Sequence, residues 1–66
     1  MKLIINGEQQ ELEQVNTIQD VIVRLELSGK PIVVEADGRV LTAEQWADTP
    51  VFVNMRIELV HFVGGG

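Results

Sequence analysis

Two dipeptides, Asn6-Gly7 and Asp37-Gly38, limit what this sequence can become more than any other feature. Asn6-Gly7 follows Leu3-Ile4-Ile5, and Asp37-Gly38 lies between Ile32-Val33-Val34 and Val40-Leu41. Each also suits a type I′ turn, whose two central residues both need φ > 0, a conformation that Asn, Asp and Gly accept at low cost. Lys2-Leu3-Ile4-Ile5 is therefore predicted to return as Glu8 to Leu12, and Ile32 to Ala36 to return through Arg39-Val40-Leu41. The chain is committed to two hairpins before any long-range contact is considered.

Between them the apolar period changes from two to three and four. Ile18, Val21, Ile22 and Leu25 fall at i, i+3, i+4 and i+7, on one helical face. Thr17 supplies an N-cap oxygen, and Asp20, three residues on, places a carboxylate at the positive helix end. Gly29 reads as a left-handed stop with Pro31 just beyond, which puts the helix end near Leu27. After the second hairpin, Thr42 to Trp46 reads as one capped helical turn with Thr42 as the cap, and Trp46 folds back as a lid on the core. The last strand runs from Met55 to Phe62, with Ile57 and Leu59 on one face and Glu58, Val60 and Phe62 on the other. This order predicts an α+β fold, a mixed sheet of four or five strands with one main helix across one face. The first and last strands are expected to be central, parallel neighbours.

Size and composition decide what holds such a fold together. A chain of 66 residues is one small domain, and with no cysteine it has no disulfide, thiolate zinc site, iron–sulfur cluster or nucleophilic thiol. Apolar packing must suffice, and a hydrophobic fraction of 45% permits it. Ten acidic residues against five basic ones give a net charge of -5, which disfavours nucleic acid and anionic membrane as partners and suits a protein with a basic face. No apolar run approaches the ~20 residues that span a bilayer, and the N-terminus is too short for a signal-peptide core, so a cytoplasmic location is expected.

The sequence closes on Gly64-Gly65-Gly66. With glycine at about 7% of average usage, a terminal pair arises by chance in about one chain in two hundred, and glycine at a strand end adds nothing to packing. A segment without Cβ atoms can enter a slot too narrow for side chains and take whatever backbone shape a partner demands. Val63 to Gly66 extended would reach about 13 Å, enough to place a terminal carboxylate inside another protein. A carboxylate is a poor electrophile, so a partner must first convert it to an acyl-adenylate with ATP. On this reading the chain is a protein substrate and carrier, not an enzyme. A loose tail with no chemistry is the alternative.

Other candidates carry less. His61 is the only histidine, has no second ligand type beside it, and reads as a structural or solvent-facing residue. Glu8, Glu11 and Glu13 read as a solvated acidic segment before they read as a docking surface. Val60 and Phe62 differ, because a one-helix fold has nothing to cover their face of the sheet, and an exposed apolar patch leading into the tail suits partner docking. The terminal glycines precede no helix and include no lysine, so they are no phosphate loop.

Layout, length and Gly-Gly end together resemble the β-grasp, ubiquitin-like sulfur carriers, and among them the ThiS-type carriers of thiamine biosynthesis. The resemblance spans the chain and rests on Asn6-Gly7-Glu8, Thr17-Ile18, Glu44-Gln45-Trp46-Ala47 and Gly65-Gly66. It implies a β-grasp domain over residues 1–62 and a flexible glycine-rich tail over 63–66. It also implies that Gly66 is adenylated by an E1-like enzyme of the ThiF type, which uses ATP, and is then thiolated by a persulfide donor. The resulting thiocarboxylate would give sulfur to a thiazole synthase of the ThiG type. Val63, Gly64 and Gly65 would line the partners' channels, Val60 and Phe62 would belong to the docking face, and no metal or cofactor would be bound. A carrier for molybdopterin synthesis or tRNA thiolation, a protein-conjugating modifier, and an interaction module with an inert tail are the competing readings. The chain departs from the family's usual pattern at Asn54-Met55-Arg56, where a Gly-Asp turn is common, and at Thr42-Ala43, where Pro-Arg is common.

Overall fold

A computed structural model describes residues 1–62, and both predicted turns form in it. Asn6 and Gly7 have φ of 51° and 81°, and Asp37 and Gly38 have 47° and 86°, the two consecutive positive values that a type I′ turn requires. The turns join β1 (Lys2–Ile5) to β2 (Glu8–Glu11) and β3 (Ile32–Ala36) to β4 (Arg39–Leu41). Helix α1 (Ile18–Arg24) separates the hairpins, and α2 (Ala43–Trp46) precedes β5 (Arg56–His61). The expected tail over 63–66 lies outside the described residues.

The five strands form one sheet in the order β2-β1-β5-β3-β4. β5 pairs parallel with β1 and antiparallel with β3, so the first and last strands are the adjacent parallel pair that the sequence led us to expect. Strand alternation puts Leu3, Ile5, Val34, Ala36 and Ile57 on one face, where they meet Ile18, Val21 and Ile22 of α1 in a single buried cluster. Leu25, Leu59 and Trp46 are partly buried against that cluster. Trp46 therefore does close the core, although its buried indole N–H has no partner among the described residues.

Capping fixes where α1 begins. The Asp20 carboxylate accepts from the amides of Asn16 at 2.8 Å and Thr17 at 3.0 Å, and the Thr17 hydroxyl accepts from the Asp20 amide at 3.2 Å. Those bonds, the one from Asn16 first, hold the Asp20 carboxyl below its ordinary value. The helix stop differs from expectation. α1 ends at Arg24 with Leu25 as C-cap, and Glu26, not Gly29, takes the left-handed conformation that terminates it, with φ of 61°. Glu26 N–H donates to Val23 C=O at 3.0 Å and Leu27 N–H to Ile22 C=O at 2.9 Å, the paired bonds of a Schellman motif. Leu27 and Ile22 belong to the same apolar cluster. Two hydrogen bonds and a buried contact thus outweigh the roughly 1–2 kcal/mol that a non-glycine residue loses in that conformation. Gly29, with φ of 78°, serves the next turn instead.

In α2, Thr42 holds the N-cap position, but the bond comes from the other side: the Gln45 carboxamide oxygen accepts from the Thr42 amide at 2.8 Å. The segment between α2 and β5 is stitched to the domain by Ile18 N–H to Thr49 C=O, Val51 N–H to Asn16 C=O and Asn54 N–H to Lys2 C=O, all between 2.7 and 2.9 Å. Asn54 has φ of 67°. Asparagine tolerates this region better than most residues. At the other corner, the Met1 ammonium donates to Leu12 C=O at 2.8 Å and forms an ion pair with Glu11, and that pairing raises its pKa.

Among the described residues, no element covers the opposite face of the sheet. Its β3–β5 register sets Val33 against Val60 and Glu35 against Glu58. Like charges directly opposite on neighbouring strands destabilise a sheet by up to about 1 kcal/mol. Among the described residues the Met1–Glu11 pair is the only ion pair, so no cation within ion-pair distance offsets the two carboxylates.

Three outcomes follow from these local terms. Glu26→Gly should raise the unfolding free energy by about 1 kcal/mol, seen as a higher urea midpoint at unchanged slope. Glu58→Lys should stabilise the chain by about 0.5–1 kcal/mol, and the gain should shrink when Glu35 is already alanine. Because the Asp20 carboxyl is lowered in the folded state, its contribution is present above the unfolded carboxyl pKa and is lost as pH falls through the folded one. Stability should therefore decline below about pH 4, and Asp20→Asn, which keeps an acceptor oxygen but cannot titrate, should flatten that decline in denaturant titrations.

Candidate functional site

β5 is the strand that leads to the glycines, and alternation along it sorts its side chains between two environments. Ile57 is fully buried and Leu59 partly buried against the core, while Val60 is 53% and Phe62 52% exposed on the uncovered face. Val60 lies opposite Val33, and Val40 of β4, 66% exposed, lies opposite Glu35 on the same face. The result is an apolar surface of Val33, Val40, Val60 and Phe62 around the Glu35–Glu58 pair. Val60 and Phe62 are thus exposed on the face where their spacing put them. Val63, Gly64, Gly65 and Gly66, the remaining candidate residues, lie outside the described residues.

The end of β5 is held from both flanks. Phe62 N–H donates to Pro31 C=O at 2.9 Å beside β3, and Leu59 N–H donates to the Asn6 side-chain oxygen at 2.8 Å beside β1. At the start of the strand, Arg56 N–H donates to the Asp37 carboxylate at 3.0 Å. The two hairpin turns therefore do a second task that sequence reasoning missed. Besides reversing the chain, each supplies a side-chain acceptor that takes a main-chain donor of β5 where strand pairing stops. Asn rather than Gly at the first turn position was the available signal, since only a side chain with an oxygen can do this.

The remaining candidates do not converge on this face. His61 is exposed and, by alternation, on the side opposite Val60 and Phe62. Glu8 and Glu13 are exposed, and Glu11 is the partner of Met1. No group of three His, Cys, Asp or Glu side chains among the described residues is placed to hold a metal. A cleft of about 290 Å³ opens between β4, α2 and the segment after it, lined by Arg39, Leu41, Gln45, Pro50 and Phe52. Among the described residues no helix is long and apolar enough to cross a membrane. What this geometry offers chemically is an exposed, partly apolar face and, at its margin, a strand running toward a carboxyl-terminal sequence that closes on three glycines.

Known proteins share both layout and sequence. The family model for the ThiS family matches residues 3–66. A sulfur carrier protein ThiS of Bacillus subtilis is 36% identical over 50 residues, 76% of each chain. A thiazole synthase of Paramagnetospirillum magneticum is 29% identical over 66 residues, and the chain spans 20% of that protein's length. The crystal structure of the thiamine biosynthesis protein ThiS from Geobacter metallireducens superposes with a TM-score of 0.81 at 26% identity, each chain covered in full. Its solution structure gives 0.80 at the same identity, with this chain covered in full and 88% of the other. Those structures have the same β-grasp layout of a mixed five-stranded sheet and two helices. With the profile matched almost end to end and the fold shared, the chain belongs to the ThiS family, the β-grasp sulfur carrier proteins of thiamine biosynthesis, which carry sulfur and are not catalysts.

Proposed function

We propose that Gly66 is the sulfur-bearing residue and that its carboxylate becomes a thiocarboxylate which supplies the sulfur of the thiazole ring of thiamine. The observation that carries this reading is the position of β5: a central strand, bordered by an exposed apolar face, ends at His61, two residues before Val63-Gly64-Gly65-Gly66. Family membership and the relatives' names supply the pathway. The chemistry requires three partners. An adenylating enzyme of the ThiF type joins the Gly66 carboxylate to AMP and releases pyrophosphate from ATP. The terminal sulfur of a persulfide donor then attacks the acyl carbon, AMP leaves, and a second thiol cleaves the resulting S–S bond to release the thiocarboxylate. A thiazole synthase of the ThiG type accepts the sulfur, a choice supported by the thiazole synthase that matches this whole chain.

The domain's part is recognition. Val60 and Phe62 form the docking face, and Val63, Gly64 and Gly65 occupy the partners' channels, where the absence of side chains on the two glycines admits a close approach to the backbone. The carboxylates of Glu35 and Glu58 on that face favour a partner surface that carries cations. A cytoplasmic site of action accords with ATP-dependent activation.

Incubation with the adenylating enzyme, ATP and a persulfide donor should shift the chain's mass by the exchange of one oxygen for sulfur. Deletion of Gly65 and Gly66 should abolish the shift while leaving the unfolding midpoint unchanged. An unchanged mass for the full chain, under conditions in which an established carrier responds, would count decisively against the proposal.

A further inference from the structure

β5 outruns its parallel partner, and the excess leaves a defined piece of main chain without a partner among the described residues. β1 ends at Ile5 and turns away through Asn6-Gly7, whereas β5 continues to His61. The direction of each main-chain group along β5 is fixed by the bonds around it. Asp37 N–H donates to Arg56 C=O and Phe62 N–H donates to Pro31 C=O, so the even-numbered residues face β3. Ile4 N–H donates to Met55 C=O, Asn6 N–H to Ile57 C=O, and Leu59 N–H to the Asn6 side chain, so the odd-numbered residues face β1.

In a parallel ladder one residue of the neighbouring strand donates to a carbonyl and accepts from the N–H two residues further along. Asn6 fills one such repeat, with its main-chain N–H on Ile57 C=O and its side-chain oxygen on Leu59 N–H. The next repeat consists of Leu59 C=O and His61 N–H; the β1–β5 pairing ends at Ile57 and the described residues supply neither group with a partner. His61 and the flanking Val60 are exposed, so a second chain can reach the edge.

We infer that this open repeat of β5 is a strand-addition site, filled by an extended main-chain segment of the enzyme that activates the terminal carboxylate. The inference rests on the carrier reading above and names how the same partner is engaged. An enzyme that adenylates Gly66 must hold the chain leaving β5, and the open repeat ends at His61, five residues upstream of Gly66. Main-chain pairing there is indifferent to side-chain identity and fixes both the direction and the register of the segment that follows. It also keeps Val60 and Phe62 available, because their side chains stand perpendicular to the sheet while the added strand lies in its plane. Asn6 marks the boundary. By ending the ladder with a side chain it leaves the next repeat to the partner.

The test uses one amide. In complex with the activating enzyme and ATP, hydrogen exchange of the His61 amide should slow by at least about 10-fold relative to the isolated chain. His61→Pro removes that N–H and no bond to β3, because residue 61 points its main-chain groups the other way. It should weaken binding to the enzyme about 10-fold, while His61→Ala, which keeps the N–H, should bind within about 2-fold of wild type. Continued exchange protection of the Phe62 amide shows that the proline variant keeps its β3 ladder. If that variant does not fold, the exchange measurement on the wild-type chain decides alone. Wild-type binding with an unprotected His61 amide would overturn the inference and leave the carrier reading standing, as would full affinity of a folded His61→Pro chain. Failure of the wild-type chain to bind the enzyme at all would overturn both.

Discussion

Ile57 is fully buried between Ile5 of β1 and Ala36 of β3, beneath the apolar stripe of α1, and it belongs to the last strand of the chain. No other strand joins the two hairpins. Without β5 the sheet would be two separate ribbons, each with an uncovered apolar face and neither stable alone in water. The sheet is therefore complete only when the two ends of the sequence meet, and the hairpins and the capped helix gain their full value only with β5 in place. The carboxyl-terminal residues follow directly, by this arrangement, on the strand that joins the two hairpins.

The two faces of that sheet have opposite character for a reason visible in composition. A chain this small has one helix long enough to bury a stripe, and it can cover only one face. The other face must meet water, and here it does so with a mixture of carboxylates and apolar side chains. An entirely polar face would be more soluble, and a cation opposite Glu35 would be more stable. The presence of Val60, Phe62 and the Glu35–Glu58 pair on one surface accords with the proposed docking of another protein there.

Much of this was legible in the residues. Asn6-Gly7 and Asp37-Gly38 turn as their φ requirements demand, Thr17 and Asp20 cap α1, and the three-and-four spacing of Ile18, Val21 and Ile22 marks the buried stripe. These are short-range effects, decided within a few residues. The misread helix stop shows where such reasoning ends. Gly29 was the better candidate by intrinsic preference, but the chain turns at Glu26, where two hydrogen bonds form and Leu27 packs against the apolar cluster, so a tertiary contact overrode a local cost. The acceptor roles of Asn6 and Asp37 toward β5 were hidden for the same reason, since their partners lie 53 and 19 residues away.

The sequence by itself determined the elements, their order, the buried stripe and the glycine end, because each follows from backbone preference or from a periodicity that needs no partner. Only the tertiary structure decided that β5 outruns β1, that Glu35 stands against Glu58, and that two turn side chains hold the last strand in place. Those features depend on register, which is set by how the whole apolar cluster closes. A shift of one residue would have reversed every face.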